Sequence, residues 1–213
     1  MRRNFWYSLT VLIFFMLFVF VIWTYPLLPD QVPTHWNIEG EVDAYSDPLT
    51  SSLLVLGMLF ILSGLMIGIA QYERNTLVAE TLIKMSTVLA AFLAALHVVI
   101  TLIALGYPLV IERYITLCIG VLFLIIGRMM YGIPPNRFFG FRTYWTLQNP
   151  TVWKEAHERG SHWMVGGGIA IVVFAFLPIA APYLFVALFA TLLLSVAVPM
   201  IFAYRRFHQL ANG

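Results

Sequence analysis

The sequence contains little cysteine and little charge. Cys118 is the single cysteine among 213 residues, so the chain can form neither an internal disulfide nor a cysteine-rich metal site. Charged residues make up 10% of the chain and hydrophobic residues 61%, whereas about a quarter of the residues in a soluble domain are charged. This composition excludes a cytosolic enzyme, a disordered chain and a secreted disulfide scaffold. It places the chain in a lipid bilayer.

Long apolar runs account for most of the sequence, and a transmembrane helix needs about 20 such residues. The runs cover residues 5–28, 51–71, 85–105, 109–131 and 163–204. The last run is too long for one span, and Pro178 and Pro182 predict a tight turn that divides it in two. Because lipid-exposed backbone must satisfy its own hydrogen bonds, we predict an all-α polytopic membrane protein with six transmembrane helices.

The distribution of basic residues predicts the orientation of these spans. Six spans place both termini on one side of the membrane, and all 12 Lys and Arg residues except Arg113 fall on that side. Cytoplasmic loops carry an excess of Lys and Arg, so we predict cytoplasmic N- and C-termini. The loop at residues 29–50 then faces outward, and it contains five acidic residues but no Lys or Arg.

This outer loop is too long and too rich in Trp, Pro and Gly to be a simple linker. Its prolines favour an extended path, and Gly40 favours a turn. One interpretation is an ordered cap whose acidic side chains are solvated. The alternative is a divalent cation site or a catalytic role for His35, with His35, Glu39 and Asp43 as the candidate metal ligands.

The inner loop, at residues 132–162, contains the signals of a short amphipathic helix. Asn149 is the predicted N-cap, Pro150 suits the first turn, and Gly160 marks the predicted end. Trp153 and His157 share one face of this helix. We predict that the helix lies at the cytoplasmic headgroups, either as a strut or as a docking platform for a cytoplasmic protein.

The predicted membrane interior offers little chemistry. His97 is the ionisable residue near the middle of a span, and Thr101 follows one helical turn later. A lone histidine in a span either bonds a neighbouring helix or belongs to a proton relay. The sequence contains no recognisable catalytic motif and no nucleic-acid-binding pattern. We therefore predict no catalytic residues and no cofactor.

Both loops resemble those of one protein family. The outer motif Leu28-Pro29-x-x-x-Pro33-x-His35-Trp36-Asn37-x-x-Gly40-x-x-Asp43 resembles the N-terminal domain of SdpI-type bacterial membrane proteins. The inner motif Asn136-x-x-x-Gly140-x-Arg142-Thr143-x-x-Thr146, followed by Trp153-x-x-x-His157, resembles their C-terminal domain. The sequence departs from the family pattern at Ala44 and Tyr144, where glycine and proline are frequent. The implied organisation is a two-span unit at residues 1–72 and an SdpI-like four-span unit at residues 73–213.

The resemblance implies a multi-pass protein of the bacterial cell membrane that protects against a secreted antimicrobial peptide. It also implies a receptor that holds a cytoplasmic autorepressor at the membrane, so the implied partners are lipids, a toxin peptide and this repressor. The implied toxin-binding residues are Asp30, Pro33, His35, Trp36, Asn37, Gly40 and Asp43. The implied cytoplasmic motif comprises Asn136, Gly140, Arg142, Thr143, Thr146, Trp153 and His157.

Two other functions remain open at this point. A membrane-embedded metal-dependent enzyme or a lipid-handling protein would use His35 and the outer acidic residues. A small-solute transporter would depend on His97, although coupled transport usually needs more intramembrane charge than this sequence provides.

Overall fold

The structure is a computed structural model that describes residues 2–211. In chain order its elements are α1 (Arg2–Thr24), a 3₁₀ turn (Tyr25–Leu27), β1 (Val32–Trp36), β2 (Val42–Ser46), α2 (Pro48–Tyr72), α3 (Thr76–Ala104), α4 (Ile111–Met130), α5 (Tyr144–Gln148), α6 (Pro150–Phe176) and α7 (Ala181–Ala211). Six of these helices, all except α5, are long and apolar enough to cross a membrane. This finding confirms the predicted all-α polytopic class.

Three of the membrane helices begin at a side-chain cap. Asp47 caps α2 by accepting the Thr50 N–H at 2.8 Å, and hydrogen bonds from Thr50 hold the pKa of Asp47 below its usual value. Asn75 and Asn149 cap α3 and α6 in the same way, which confirms the predicted cap at Asn149. Proline follows the cap of α2 and α6, where its missing N–H costs no helical hydrogen bond.

The six long helices pack in two groups of three. Helices α1 and α2 pack on α3, helices α4 and α7 pack on α6, and α3 contacts α4 to join the groups. In the first group, the Thr10 and Thr87 hydroxyls lie 2.7 Å apart between α1 and α3. In the second group, a Cβ added to Gly120 or Gly168 would lie 2.8 Å from an atom of the facing helix. Glycine therefore lets α4 and α6 approach closely, as is common in lipid.

The predicted division into units of residues 1–72 and 73–213 stays a prediction. Residues 1, 212 and 213 of that division lie outside the described part of the chain.

The amphipathic helix predicted to end at Gly160 is not a separate element. Helix α6 starts as predicted but runs without a break from Pro150 through Gly160 to Phe176, so the predicted end is wrong. Glycine is needed here for a different reason, because a Cβ at Gly160 would overlap the ring of Phe141. Gly160 thus admits an aromatic side chain from the inner loop. The predicted turn near Pro178 is confirmed by the break between α6 and α7.

The outer loop contains an antiparallel β-hairpin, which the expectation of an all-helical bundle did not include. Strands β1 and β2 pair Val32 with Ser46 at one end and Trp36 with Val42 at the other, with irregular register around His35. Val32 is 2% exposed, so the base of the hairpin is packed against the rest of the protein. The hairpin precedes α2 directly and leaves the predicted helical spans intact.

Candidate functional site

Asn37 organises the turn of the hairpin. Its backbone N–H donates to the Glu41 carbonyl at 2.9 Å, and its side-chain oxygen accepts the Glu41 N–H at 2.8 Å. Gly40 donates its N–H to the Asn37 carbonyl at 3.0 Å and adopts φ 85°, a left-handed conformation that glycine tolerates. The predicted turn at Gly40 is therefore confirmed.

His35 and Asp43 meet across the two strands. The His35 Nδ1 and Asp43 Oδ1 atoms are 2.5 Å apart, and the side chains are 68% and 45% exposed. Within residues 2–211, no group of three or more His, Cys, Asp and Glu side chains is arranged to hold a metal ion. The structure thus brings together two of the three candidate metal ligands without completing a set with Glu39.

A pocket of about 400 Å³ lies beneath the hairpin, between the N-terminal parts of α4 and α7. The hairpin contributes one wall and the two helices contribute the others. The lining residues are His35, Trp36, Asn37, Ile38, Gly40, Ile111, Glu112, Ile115, Thr116, Ile119, Ala181, Leu184, Phe185, Leu188 and Phe189. Four predicted toxin-binding residues thus face one pocket: His35, Trp36, Asn37 and Gly40.

The other predicted residues of the outer loop lie away from this lining. Asp30 is exposed before β1, Pro33 is buried in β1, and Asp43 forms the pair with His35. The sequence prediction missed Glu112, which lines the pocket from the first turn of α4. A Cβ added to Gly40 would lie 3.4 Å from a Glu112 carboxylate oxygen, so the hairpin turn sits directly against this side chain.

The inner loop uses Asn136 to fix its own path. The Asn136 side-chain oxygen accepts the N–H groups of Phe138 and Phe139 at 2.9 and 2.8 Å. Its amide nitrogen donates to the carbonyls of Pro134 and Phe139 at 3.0 and 3.1 Å. All of these bonds join the side chain to loop backbone, so Asn136 holds the loop in one conformation.

His157 ties the same loop to α6. Its Nε2 accepts the Phe141 N–H at 3.0 Å, and its Nδ1 donates to the Trp153 carbonyl at 2.7 Å. The two bonds require a neutral ring with its proton on Nδ1. The His157 ring stacks on Trp153 at 4.0 Å, and Trp153 Nε1 donates to the Ile133 carbonyl at 2.8 Å. Both side chains are 1% exposed.

The remaining residues of the inner motif complete this arrangement. Gly140 has φ 114°, and an added Cβ would overlap the His157 ring. Thr143 caps α5 in a reciprocal pair with Thr146, whose hydroxyl also donates to the Phe141 carbonyl at 2.6 Å. We call Asn136, Gly140, Thr143, Thr146, Trp153 and His157 the inner network.

Arg142 differs from the inner network because its side chain is exposed. Its Nη1 donates to the Phe138 carbonyl at 3.2 Å. A second feature that sequence reasoning missed joins α6 to α7: Arg206 Nε and Nη2 donate to the Glu155 carboxylate at 2.8 and 3.0 Å. Because 51 residues separate the two, no local spacing could reveal this pair.

His97 lies far from both loops in the sequence and is 5% exposed. Its ring meets the ring of Phe20 on α1 edge to face, with centroids 6.5 Å apart. This contact joins α3 to α1, in keeping with a role in helix packing.

Two segments of the chain match known protein families. Residues 132–203 match the SdpI/YfhL protein family, and residues 12–61 match a domain of unknown function, DUF1648. The chain is also 28% identical over 214 residues to the immunity protein SdpI of Bacillus subtilis (strain 168), covering 100% of this chain and 99% of that protein. No solved structure matches the chain. The two domain matches and the full-length similarity confirm the resemblance of this chain to SdpI-type membrane proteins.

Proposed function

We propose that this protein is a membrane immunity protein whose hairpin and underlying pocket bind a secreted antimicrobial peptide. Similarity to an immunity protein along the whole chain supports the general role. The observation that carries the proposal is the pocket of about 400 Å³, because four residues of the outer motif line it together with apolar residues of α4 and α7. Pockets of about 300–1,000 Å³ with apolar walls and a few polar groups are typical ligand sites.

The proposed orientation places the hairpin outside the cell and both termini in the cytoplasm. The distribution of Lys and Arg supports this orientation, since basic residues accumulate on the cytoplasmic side of membrane proteins. Asp30, Glu39, Glu41 and Asp43 would then face the medium through which a secreted peptide arrives.

On the cytoplasmic side, we propose that the surface beside the inner network captures a cytoplasmic repressor when the peptide is bound. Arg137, Arg142, Tyr144 and Lys154 are exposed there, whereas the inner network is buried or half-buried beneath them. Exposed guanidinium groups suit the recognition of carboxylates on a protein partner. Membrane lipids would contact the exposed apolar faces of the six long helices.

The test is a survival assay with a variant that fills the pocket. Ile115→Trp adds a large ring to a residue that lines the pocket, while Ile169→Trp makes the same change at a residue of α6 that is 53% exposed and lies outside the lining. Both variants are expressed at matched membrane levels in a toxin-sensitive bacterium, which is challenged with a killing peptide of the type that SdpI-family proteins counteract.

We expect wild type and Ile169→Trp to protect the cells and Ile115→Trp to lose protection. Equal protection by both variants would exclude the pocket as the peptide site. A wild-type protein that gives no protection would contradict the immunity role against this peptide. Arg142→Ala, assayed for protection and for membrane recruitment of the repressor, tests the cytoplasmic surface separately.

A further inference from the structure

The pocket beneath the hairpin combines apolar walls with one acidic side chain. Ile115, Ile119 and Leu188 provide apolar surface, and Glu112 is the acidic residue of the lining. The Glu112 carboxylate stands at the hairpin end of the pocket, against Gly40. Since polar groups in apolar pockets fix the orientation of a ligand, the position of this carboxylate indicates which end of the ligand carries the complementary group.

Glu112 has no partner within the described part of the chain. The carboxylate makes no hydrogen bond or ion pair there, although the Glu112 backbone carbonyl accepts the Thr116 hydroxyl at 2.6 Å. The adjacent base forms no ion pair with it in the described part of the chain, and Arg113 instead donates from Nη1 to the Leu177 carbonyl at 3.0 Å. Burying an unpaired charge under an apolar ligand is costly, so a ligand that brings a positive charge to Glu112 should bind better than a neutral one.

The surroundings of the pocket are acidic as well and should also favour a positively charged ligand. The loop above it contains Asp30, Glu39, Glu41, Asp43 and Asp47 but neither Lys nor Arg. A surface of one sign raises the local concentration of ligands of the opposite sign and speeds their association. The acidic hairpin would therefore attract a cationic ligand, and Glu112 would receive its charge inside the pocket.

We infer that the pocket holds an apolar peptide segment that carries a primary amine, and that Glu112 is the counterion that selects for this amine. The inference rests on the proposed function, to which it adds the chemistry of the ligand and one specificity-determining residue. A volume of about 400 Å³ accommodates a few side chains of such a segment. The ammonium group of lysine is a compact point charge that suits a lone carboxylate.

The test measures binding of two short fluorescent peptides to the full-length protein in phosphatidylcholine nanodiscs. Both are rich in Leu and Phe and blocked at the N-terminus, and they differ only in one Lys, which is Nε-acetylated in the second peptide. We expect wild type to bind the Lys peptide about tenfold more tightly, since close charge pairs at an interface give effects of this size or larger. Glu112→Gln should remove the difference.

Glu39→Gln is the matched control, because it removes one exposed carboxylate of the hairpin that does not line the pocket. This variant should keep most of the preference for the Lys peptide. Both variants should retain the melting temperature of wild type, which separates loss of charge recognition from loss of folding.

Three results would overturn the inference: no binding of the Lys peptide by wild type, equal binding of the two peptides, or a preference that survives Glu112→Gln. Loss of peptide binding in phosphatidylethanolamine nanodiscs would also overturn it, because a lipid amine would then be the occupant. The survival assay judges the proposed function independently. Suppose that Ile115→Trp abolishes protection while both peptides bind wild type equally. The pocket would then still be the proposed peptide site, but Glu112 would not select for an amine.

Discussion

The inner loop and the outer loop differ in what their polar residues bind. In the inner network, the polar atoms of Asn136 and His157 bond to backbone of the same protein, and His157 is almost completely buried. Near the hairpin, His35 is largely exposed. Glu112 lines the pocket below it, and its carboxylate has no partner among residues 2–211. The inner motif therefore supports the fold, whereas we propose that the outer motif serves ligand binding.

This difference leads to opposite expectations for substitutions. A change in the inner network removes bonds that hold the fold, so it should lower the free energy of unfolding before it affects any partner. A change at an exposed hairpin side chain such as His35 removes a group that makes no bond to the buried part of the fold, so it should affect binding at nearly constant stability. Three predictions test this contrast, in decreasing order of their effect on stability.

The largest loss of stability is expected for Gly140→Ala. At φ 114° any side chain strains the backbone, and the added Cβ would overlap the His157 ring. Strain of about 1–3 kcal/mol adds to about 1–3 kcal/mol for the displaced hydrogen bond of Phe141. We expect the free energy of unfolding to fall by about 3 kcal/mol or more, measured as thermal unfolding in detergent by size-exclusion chromatography.

Gly132→Ala is the control for Gly140→Ala. Gly132 also has a positive φ, 73°, but an added Cβ would meet nothing within 4 Å. Only the conformational cost of about 1–2 kcal/mol should remain. If the two variants lose equal stability, the contact between Gly140 and His157 is not important for folding and the contrast between the loops weakens.

The second prediction concerns His157→Leu. Leucine keeps an apolar side chain of moderate size in this buried position but leaves the Phe141 N–H without its partner. It also removes the side-chain bond to the Trp153 carbonyl, which keeps its helical hydrogen bond within α6. An unsatisfied buried polar group costs about 1–3 kcal/mol, so the unfolding temperature should drop clearly. The same thermal assay measures this effect.

His162→Leu provides the matched comparison, since His162 is exposed and lies on the same helix. It should change the free energy of unfolding by no more than about 0.5 kcal/mol. The opposite pattern, a stable His157→Leu protein that no longer recruits a cytoplasmic partner, would show that the inner network binds ligands as the hairpin does.

Most of the fold could be predicted from the sequence because its signals are local. Apolar runs indicated the spans, and Asn149 with Pro150 indicated the start of α6. Gly160 misled the prediction because glycine serves both to end helices and to admit a neighbouring side chain. The sequence alone does not show that Phe141 approaches Gly160 in space.

The candidate site was predicted only in part, because sequence signals are local and the site is formed by distant segments of the chain. The outer motif pointed to His35, Trp36, Asn37 and Gly40, which are neighbours in sequence. The other walls come from α4 and α7, whose first turns lie about 70 and 140 residues further along the chain, and only folding brings them under the hairpin. In the sequence, Glu112 stands near the start of the apolar run at residues 109–131, and nothing there relates it to the hairpin.

The smallest effect on stability is expected for His35→Ala. Both side chains of the His35–Asp43 pair are exposed. Exposed ion pairs contribute about 0–1 kcal/mol to the free energy of unfolding. The free energy of unfolding should therefore change by no more than about 0.5 kcal/mol. Protection in the survival assay should nevertheless fall, because His35 lines the pocket in which we place the peptide.

Thr34→Ala is the appropriate control for His35→Ala, since Thr34 is exposed in the same strand and does not line the pocket. It should leave both stability and protection unchanged. A His35→Ala protein that unfolds as easily as His157→Leu would place the hairpin among the structural elements and remove the contrast between the loops. A stable His35→Ala protein that protects fully would instead keep the contrast and move the peptide contacts to Trp36 and the helical walls of the pocket.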